Sequence, residues 1–210
     1  MKFPEGFKIS GVQDDEVGFG LIHAPGAMKV SGLLTTNSNP AEPIKYCQKM
    51  LGRPSFKAML VNRGSANAAT GEEGEKRMLA LLEKTAKELK IEAEDILPAS
   101  TGVIGEQIEY SEDLFKELLS RKKEVDPQSF ATAIMTTDTV EKIVWSSFDL
   151  GGHEVTIFGA AKGSGMICPN MATMLTFIMT DADLSQELLD KALSLVVNKS
   201  FNLLTVDGET

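Results

Sequence analysis

Lys162-Gly-Ser-Gly-Met-Ile-Cys-Pro-Asn-Met-Ala-Thr-Met-Leu175 is a polar, glycine-rich segment between two apolar runs. Val155-Thr-Ile-Phe-Gly-Ala-Ala161 precedes it, and Met174-Leu-Thr-Phe-Ile-Met179 follows. Both runs are short, apolar and partly β-branched or aromatic, which predicts buried strands. A connection this long between two core strands is more than a turn. Long connections in compact domains often carry function.

Working outward, Lys142 to Phe148 and His153 to Phe158 flank Gly151-Gly152, a hairpin signal. Further upstream, Phe7 to Val12, Gly18 to His23, Val30 to Thr35 and Phe56 to Asn62 read as strands, with Pro25-Gly26 as a turn. Helices are expected over Ile44–Leu51, over Glu73–Lys90, from a Ser111 cap to about Lys122, from an Asp126 cap with Pro127 at the first helical position to near Met135, and from a Ser185 cap to about Lys199. In the second, Leu79, Leu82, Ala86 and Leu89 share one face, and Thr70 with Glu73 forms a capping-box pattern. In the last, Leu188, Leu189, Ala192 and Val196 are expected on the buried side. Ser200 to Val206 reads as a final strand. Strands and helices mix without strict βαβ alternation, which predicts an α/β (α+β) layered sandwich rather than a doubly wound sheet.

The chain of 210 residues is long enough for a sizeable core. Its formal net charge of −9 argues against a nucleic-acid binder. The Arg121-Lys-Lys123 cluster ends a predicted helix, where cations favour the helix dipole. Cys47 and Cys168 are far apart in no metal-like spacing, which fits a reduced, cytoplasmic protein. His23 and His153 cannot make a three-histidine zinc site, and no metal site is expected. No run reaches the roughly 18 apolar residues that a membrane helix needs.

Two further polar segments stand out, Asn62-Arg-Gly-Ser-Ala-Asn-Ala-Ala-Thr-Gly71 and Ser100-Thr-Gly-Val-Ile-Gly105. Small residues there let the backbone approach something closely. Gly163-Ser-Gly165 has Cys168 where a dinucleotide fingerprint wants glycine, no Gly-Lys-Ser/Thr follows it, and Gly-x-Ser-x-Gly is absent. Cys168 has no histidine near it in sequence, so it is not favoured as a nucleophile. A threonine becomes a nucleophile when a base lies beside it. One route is to cut the chain just before it and use the freed α-amino group, whose pKa of about 7.7–8.0 suits proton transfer at neutral pH. Thr173 is a candidate for that role, against a plain strand-starting threonine.

The opening segment closely resembles the self-cleavage region of the glutamate N-acetyltransferase / ornithine acetyltransferase family of arginine biosynthesis. Thr35-Thr-Asn37, Asn62 to Gly71, Ser100 to Gly105, Ile134-Met-Thr-Thr-Asp-Thr139 and Phe201-Asn…Val-Asp-Gly208 agree with that family in the same order. The resemblance implies an αββα-type sandwich and self-cleavage at Ala172-Thr173. Residues 1–172 would form an α chain and residues 173–210 the start of a β chain, intertwined in one domain.

Thr173 would be the nucleophile that carries acetyl from N-acetylornithine to glutamate. Thr101 and Gly102 would form the oxyanion hole, and Thr136, Lys162 and Thr173 would contact substrate. Lys162 is also a candidate to face a substrate carboxylate or to lower the Thr173 amine pKa, with a solvated charge as the alternative. The resemblance implies no cofactor, with acetyl-CoA as a further acetyl donor in bifunctional members, and an α2β2 assembly.

Family chains are about twice this length. These residues are therefore expected to hold the nucleophile and oxyanion elements but not the complete substrate site. A related self-cleaving aminopeptidase and an inactive binding module of the same fold are the other readings.

Overall fold

The structure is a computed structural model and describes residues 1–168 and 174–208. Two sheets form its centre. The first contains β1 (Lys8–Gln13), β2 (Gly18–Met28), β3 (Phe56–Ser65) and β4 (Ile96–Val103), in that spatial order. β1, β2 and β3 pair antiparallel, whereas β3 and β4 pair parallel. The parallel pair requires a crossover, which α2 (Gly71–Leu89) supplies. The second sheet is the antiparallel meander β5 (Lys142–Leu150), β6 (His153–Lys162) and β7 (Leu175–Thr180). Gly151 and Gly152, both at positive φ, make the two-residue turn between β5 and β6.

Strand alternation sorts the core into layers. One face of the first sheet sends Val12, Phe19, Leu21, Ala58, Leu60 and Ile96 against α2 and α3 (Glu112–Ser120). Phe19 meets Phe115 of α3 edge-on, with ring centroids 5.1 Å apart. The opposite face sends Ile9, Ile22 and Val61 against Phe158 and Ala160 of β6 and Phe177 and Met179 of β7. The two sheets therefore pack face to face through one shared apolar layer. α4 (Pro127–Ala133) lies against the same face of the first sheet and adds Phe130. Its close approach depends on glycines. A Cβ on Gly11 would lie 2.4 Å from Ser129 O, and one on Gly18 would lie 2.1 Å from Ala133 O. Burying a phenylalanine such as Phe130 stabilises the fold by about 1.5–3 kcal/mol, and its ring packs edge-on to Phe177 at 5.4 Å. α1 (Glu42–Met50) covers a smaller cluster with Cys47, Phe56 and Leu97.

The mixed α+β class and the layered arrangement agree with the sequence reading, but several local expectations do not. β2 runs on through Pro25-Gly26 to Met28 with a shift of register, because Pro25 falls in the irregularity between His23 and Met28, where no ladder bond is needed. Val30 to Thr35 forms no strand; Val30 and Leu34 pack onto the Cys47 cluster instead. In α2 the buried side is Met78, Leu81, Leu82, Thr85 and Ala86, so the face is rotated and Leu79 is exposed. Thr70 precedes α2 without capping it, since its hydroxyl donates to Asn67 Oδ1 at 2.6 Å. α5 (Gln186–Lys199) buries only Val197, and Leu188 and Val196 face solvent. Residues 201–203 form a 3-10 turn rather than a strand, and Val206 only bridges to Ile167. Ser111, Asp126 and Ser185 each accept the expected capping bonds at their helix starts.

Candidate active site

Thr101 and Lys162 come from different sheets and meet. In the parallel register Thr101 stands opposite Arg63, two residues beyond the Ala99–Val61 pair, so its side chain lies on the face turned to the second sheet. Lys162 is the last residue of β6, in phase with Phe158 and Ala160 on the face turned to the first sheet. Lys162 Nζ donates to Thr101 Oγ1 at 2.9 Å. Both residues are buried, Lys162 to 5 % exposure and Thr101 to 8 %. That burial excludes the solvated-charge reading of Lys162. It also pushes the Lys162 amine below its ordinary pKa, against the nearby Asp138 carboxylate, which raises it, and with Lys142, which lowers it further.

The first sheet brings its polar segments together beneath Thr101. β3 and β4 end side by side, with Gly64 opposite Gly102. Gly102 sits at φ +137, and a Cβ there would lie 2.2 Å from Gly64 O. Only glycine fits a strand crossing that close. Ser100 Oγ donates to Asn62 Oδ1 at 2.5 Å, and Asn62 Nδ2 donates to Ser65 O at 2.9 Å. Ala66 N donates to Val103 O and Gly105 N to Ala68 O, at 3.0 and 2.9 Å. The small residues of 62–71 and 100–105 thus approach each other, holding the Thr101-Gly102 backbone rigid.

Thr136 follows α4 and is exposed. Its backbone N–H donates to Asp138 Oδ2 at 3.3 Å. The other carboxylate oxygen, Oδ1, accepts from Gly163 N at 2.8 Å and from Lys142 Nζ. Thr136 therefore reaches the Lys162 end of β6 through a shared carboxylate. Asp138 is 9 % exposed. Burial raises its pKa, but the bonds from Lys142, Gly163 and Thr136 outweigh this and hold it below the ordinary carboxylate value. Sequence reasoning did not single Asp138 out, although it lies inside the Ile134–Thr139 segment. Ala172 and Thr173 lie outside the described residues. The described part of their connection is tied down: Ile167 exchanges backbone bonds with Val206, and Thr137 Oγ1 and Ser164 Oγ lie 2.8 Å apart.

Among the described residues no group of three or more His, Cys, Asp or Glu could hold a metal ion. No described helix is long and apolar enough to cross a membrane. The groove formed by Lys29–Leu33, Leu51–Pro54, Gln186 and Asp190 shares no residue with the Thr101–Lys162 centre. A buried cation on a hydroxyl, beside a glycine N–H at a strand end, is suited to stabilising negative charge on a reacting carbonyl oxygen.

The sequence profile of the ArgJ family matches residues 6–210. The arginine biosynthesis bifunctional protein ArgJ of Thermotoga neapolitana is 44 % identical over all of this chain and 55 % of its own length. The glutamate N-acetyltransferase of Methanopyrus kandleri is 37 % identical over all of this chain and 54 % of its own. The chain thus spans about half the length of these relatives. The crystal structure of ArgJ from Bacillus halodurans aligns with a TM-score of 0.72 at 33 % identity, covering 80 % of this chain and 92 % of that one. The ornithine acetyltransferase of Mycobacterium tuberculosis, solved in complex with ornithine, aligns at 0.66 and 26 % identity over 82 % of this chain and 94 % of that one.

Proposed function

The chain belongs to the ArgJ family, and from that premise we propose that it carries the nucleophile and oxyanion elements of a self-cleaving acetyltransferase of arginine biosynthesis. The proposed reaction moves acetyl from N-acetylornithine to glutamate. The observation that carries this reading is the bond from Lys162 Nζ to Thr101 Oγ1. An ammonium has only protons to give, so Thr101 Oγ accepts and its own hydrogen is free to donate elsewhere. Beside the Gly102 N–H, that hydroxyl is one of two donors for an oxyanion.

In the maturation step, Thr173 Oγ attacks the Ala172 carbonyl carbon. The C–N bond breaks as the acyl group passes to oxygen, and the α-amino group of Thr173 is released. Water then hydrolyses the ester, leaving the Ala172 carboxylate and a free Thr173 hydroxyl. In the transfer step this hydroxyl attacks the acetyl carbonyl of N-acetylornithine, and the Thr173 α-amino group takes its proton. The negative oxygen of the tetrahedral intermediate is held by Thr101 and Gly102. The proton passes to the departing ornithine amine, leaving acetyl on Thr173. The amine of glutamate attacks that ester, acetyl leaves with glutamate, and Thr173 is restored. Thr136 and Lys162 are the proposed substrate contacts within this chain. Acetyl-CoA as a second acetyl donor and an α2β2 assembly belong to the same reading.

Intact-mass spectrometry tests it directly. The chain is examined alone and joined to the portion of the T. neapolitana relative beyond its match. A fragment beginning at Thr173 is expected, and N-acetylornithine should label it by the mass of one acetyl group. A chain uncut in both contexts refutes the reading.

A further inference from the structure

Asp138 is a buried anion that the oxyanion chemistry above does not use. Burying a carboxylate is costly unless it is well paired. Asp138 has backbone donors on both sides, Thr136 N on one oxygen and Gly163 N on the other, with Lys142 Nζ at its exposed edge. The two backbone donors belong to separate segments, the turn after α4 and the exit from β6, and Lys142 opens β5. The second segment matters because Gly163 is the first residue after Lys162 and opens the connection towards Ala172 and Thr173. Gly163 sits at φ +140, where the chain leaves the strand direction. The Asp138 bond falls at that change of direction, and the contact between Thr137 Oγ1 and Ser164 Oγ repeats the tie one residue on.

We propose that Asp138 is a positioning residue of this site: it fixes the exit of the cleavage segment at Gly163 and holds the Lys162 ammonium over the Thr101 hydroxyl. The inference rests on the self-cleaving reading for its functional consequence, but not for its geometry. A carboxylate that merely capped its own turn would need only the Thr136 bond. The bond to Gly163 and the ion pair with Lys142 of β5 reach across to the second sheet, at the residue next to Lys162. The charged groups that bear on Lys162 are Asp138, which favours its ammonium, and Lys142, which opposes it.

Asp138→Asn keeps a carbonyl oxygen for Gly163 and removes the charge, whereas Asp138→Ala removes both. Two readouts separate the proposal from a structural role. The first is the titration of Lys162 in the full chain labelled with ¹³C at lysine Cε, assigned by Lys162→Arg. Asp138→Asn should move the Lys162 midpoint down. Lys142→Met removes the opposing charge and should move it up, and Asp138→Glu, which keeps the charge on a longer side chain, should hold the midpoint near the unsubstituted value while slowing cleavage; a Glu variant that cleaves at the unsubstituted rate counts against the proposal if Asp138→Asn does not fold. The second is the rate of cleavage at Ala172–Thr173, which Asp138→Ala should slow by about 10–100-fold through misplacement of the segment. A Lys162 midpoint unmoved in the folded Asn and Met variants, or cleavage at the unsubstituted rate in Asp138→Ala, overturns the proposal. If the unsubstituted chain does not cleave, the self-cleaving reading falls and the Lys162 titration alone decides the role of Asp138.

Discussion

Lys162 Nζ donates to Thr101 Oγ1 across the sandwich, joining the last residue of β6 to the third residue from the end of β4 at 2.9 Å. Neither residue could reach the other within one sheet. The contact exists because the two sheets pack through Ile9, Ile22, Val61, Phe158, Ala160, Phe177 and Met179. The apolar layer sets the sheet separation, and the polar pair lies at its end. Packing and chemistry are therefore linked: a change of sheet spacing would stretch this bond first.

Removal of the Thr101 hydroxyl should leave the fold intact and disable the site. Thr101→Val conserves shape, and loss of one oxyanion donor is expected to cost about 10²–10³ in rate. Thr101→Ser keeps the hydroxyl and should retain most of the activity. Cleavage rates followed by intact mass, with circular dichroism as the check on folding, decide this. Equal rates for Val and Thr at position 101 would remove Thr101 from the proposed chemistry.

Lys162 should make stability depend on pH in a direction opposite to a surface lysine. Its folded pKa is lowered, chiefly by burial, so the unfolded chain binds more protons between the folded and unfolded midpoints. Stability then rises with pH across that window, whose upper end is the unfolded lysine value of about 10.4. Below the folded midpoint the cost of charging a buried amine is present in full. Lys162→Met removes that cost. The variant should resist urea better than the parent at pH 7, and the difference should shrink as pH approaches 10. A Met variant less stable than the parent at pH 7 would show that the ammonium is stabilised by its surroundings.

What the sequence made legible follows from which signals are local. Ser111, Asp126-Pro127 and Ser185 mark helix starts by bonding to nearby backbone, and all three do so here. The Gly151-Gly152 hairpin is local in the same way. Leu188 and Val196 misled because helical spacing shows that a face is apolar but not that a partner covers it. Val30 to Thr35 has strand-forming residues, yet strand formation needs a neighbouring edge. For the site, Thr101 and Lys162 were readable as motif residues, but their contact was not, since it spans 61 positions and depends on sheet packing. Asp138 was hidden because an aspartate in a loop is ordinarily a solvated turn residue. Only the fold places its carboxylate against Gly163.

The two cysteines should differ in reactivity. Cys47 lies on the buried face of α1, its Sγ 3.4 Å from Pro98 O, and burial pushes its thiol up to about 12. The thiolate is the reactive form, so Cys47 should be inert near neutral pH. Cys168 is partly exposed and should take up iodoacetamide first. Peptide mapping after brief alkylation of the native chain should find label on Cys168 alone. Comparable labelling of Cys47 would mean that α1 opens readily from the first sheet.

Gly102 carries two constraints at one position, and a single substitution tests both. Its φ of +137 disfavours any side chain, and an added Cβ would lie 2.2 Å from Gly64 O and 2.7 Å from Ser65 N. These neighbours are backbone of β3, fixed by the parallel ladder and by the Asn62 bond to Ser65 O. They cannot swing aside as a side-chain tip could. Gly102→Ala should therefore force β3 and β4 apart at their ends and destabilise the chain by about 1–3 kcal/mol or more. The same displacement moves the Thr101 hydroxyl away from Lys162, so cleavage should fall further than in Thr101→Ser. Gly105→Ala is the control: Gly105 is also at positive φ, but a Cβ there meets nothing within 4 Å. It should cost backbone strain only and leave cleavage close to the parent rate. Equal losses in the two variants would show that positive φ, rather than the close approach of the two strands, is what requires glycine at position 102.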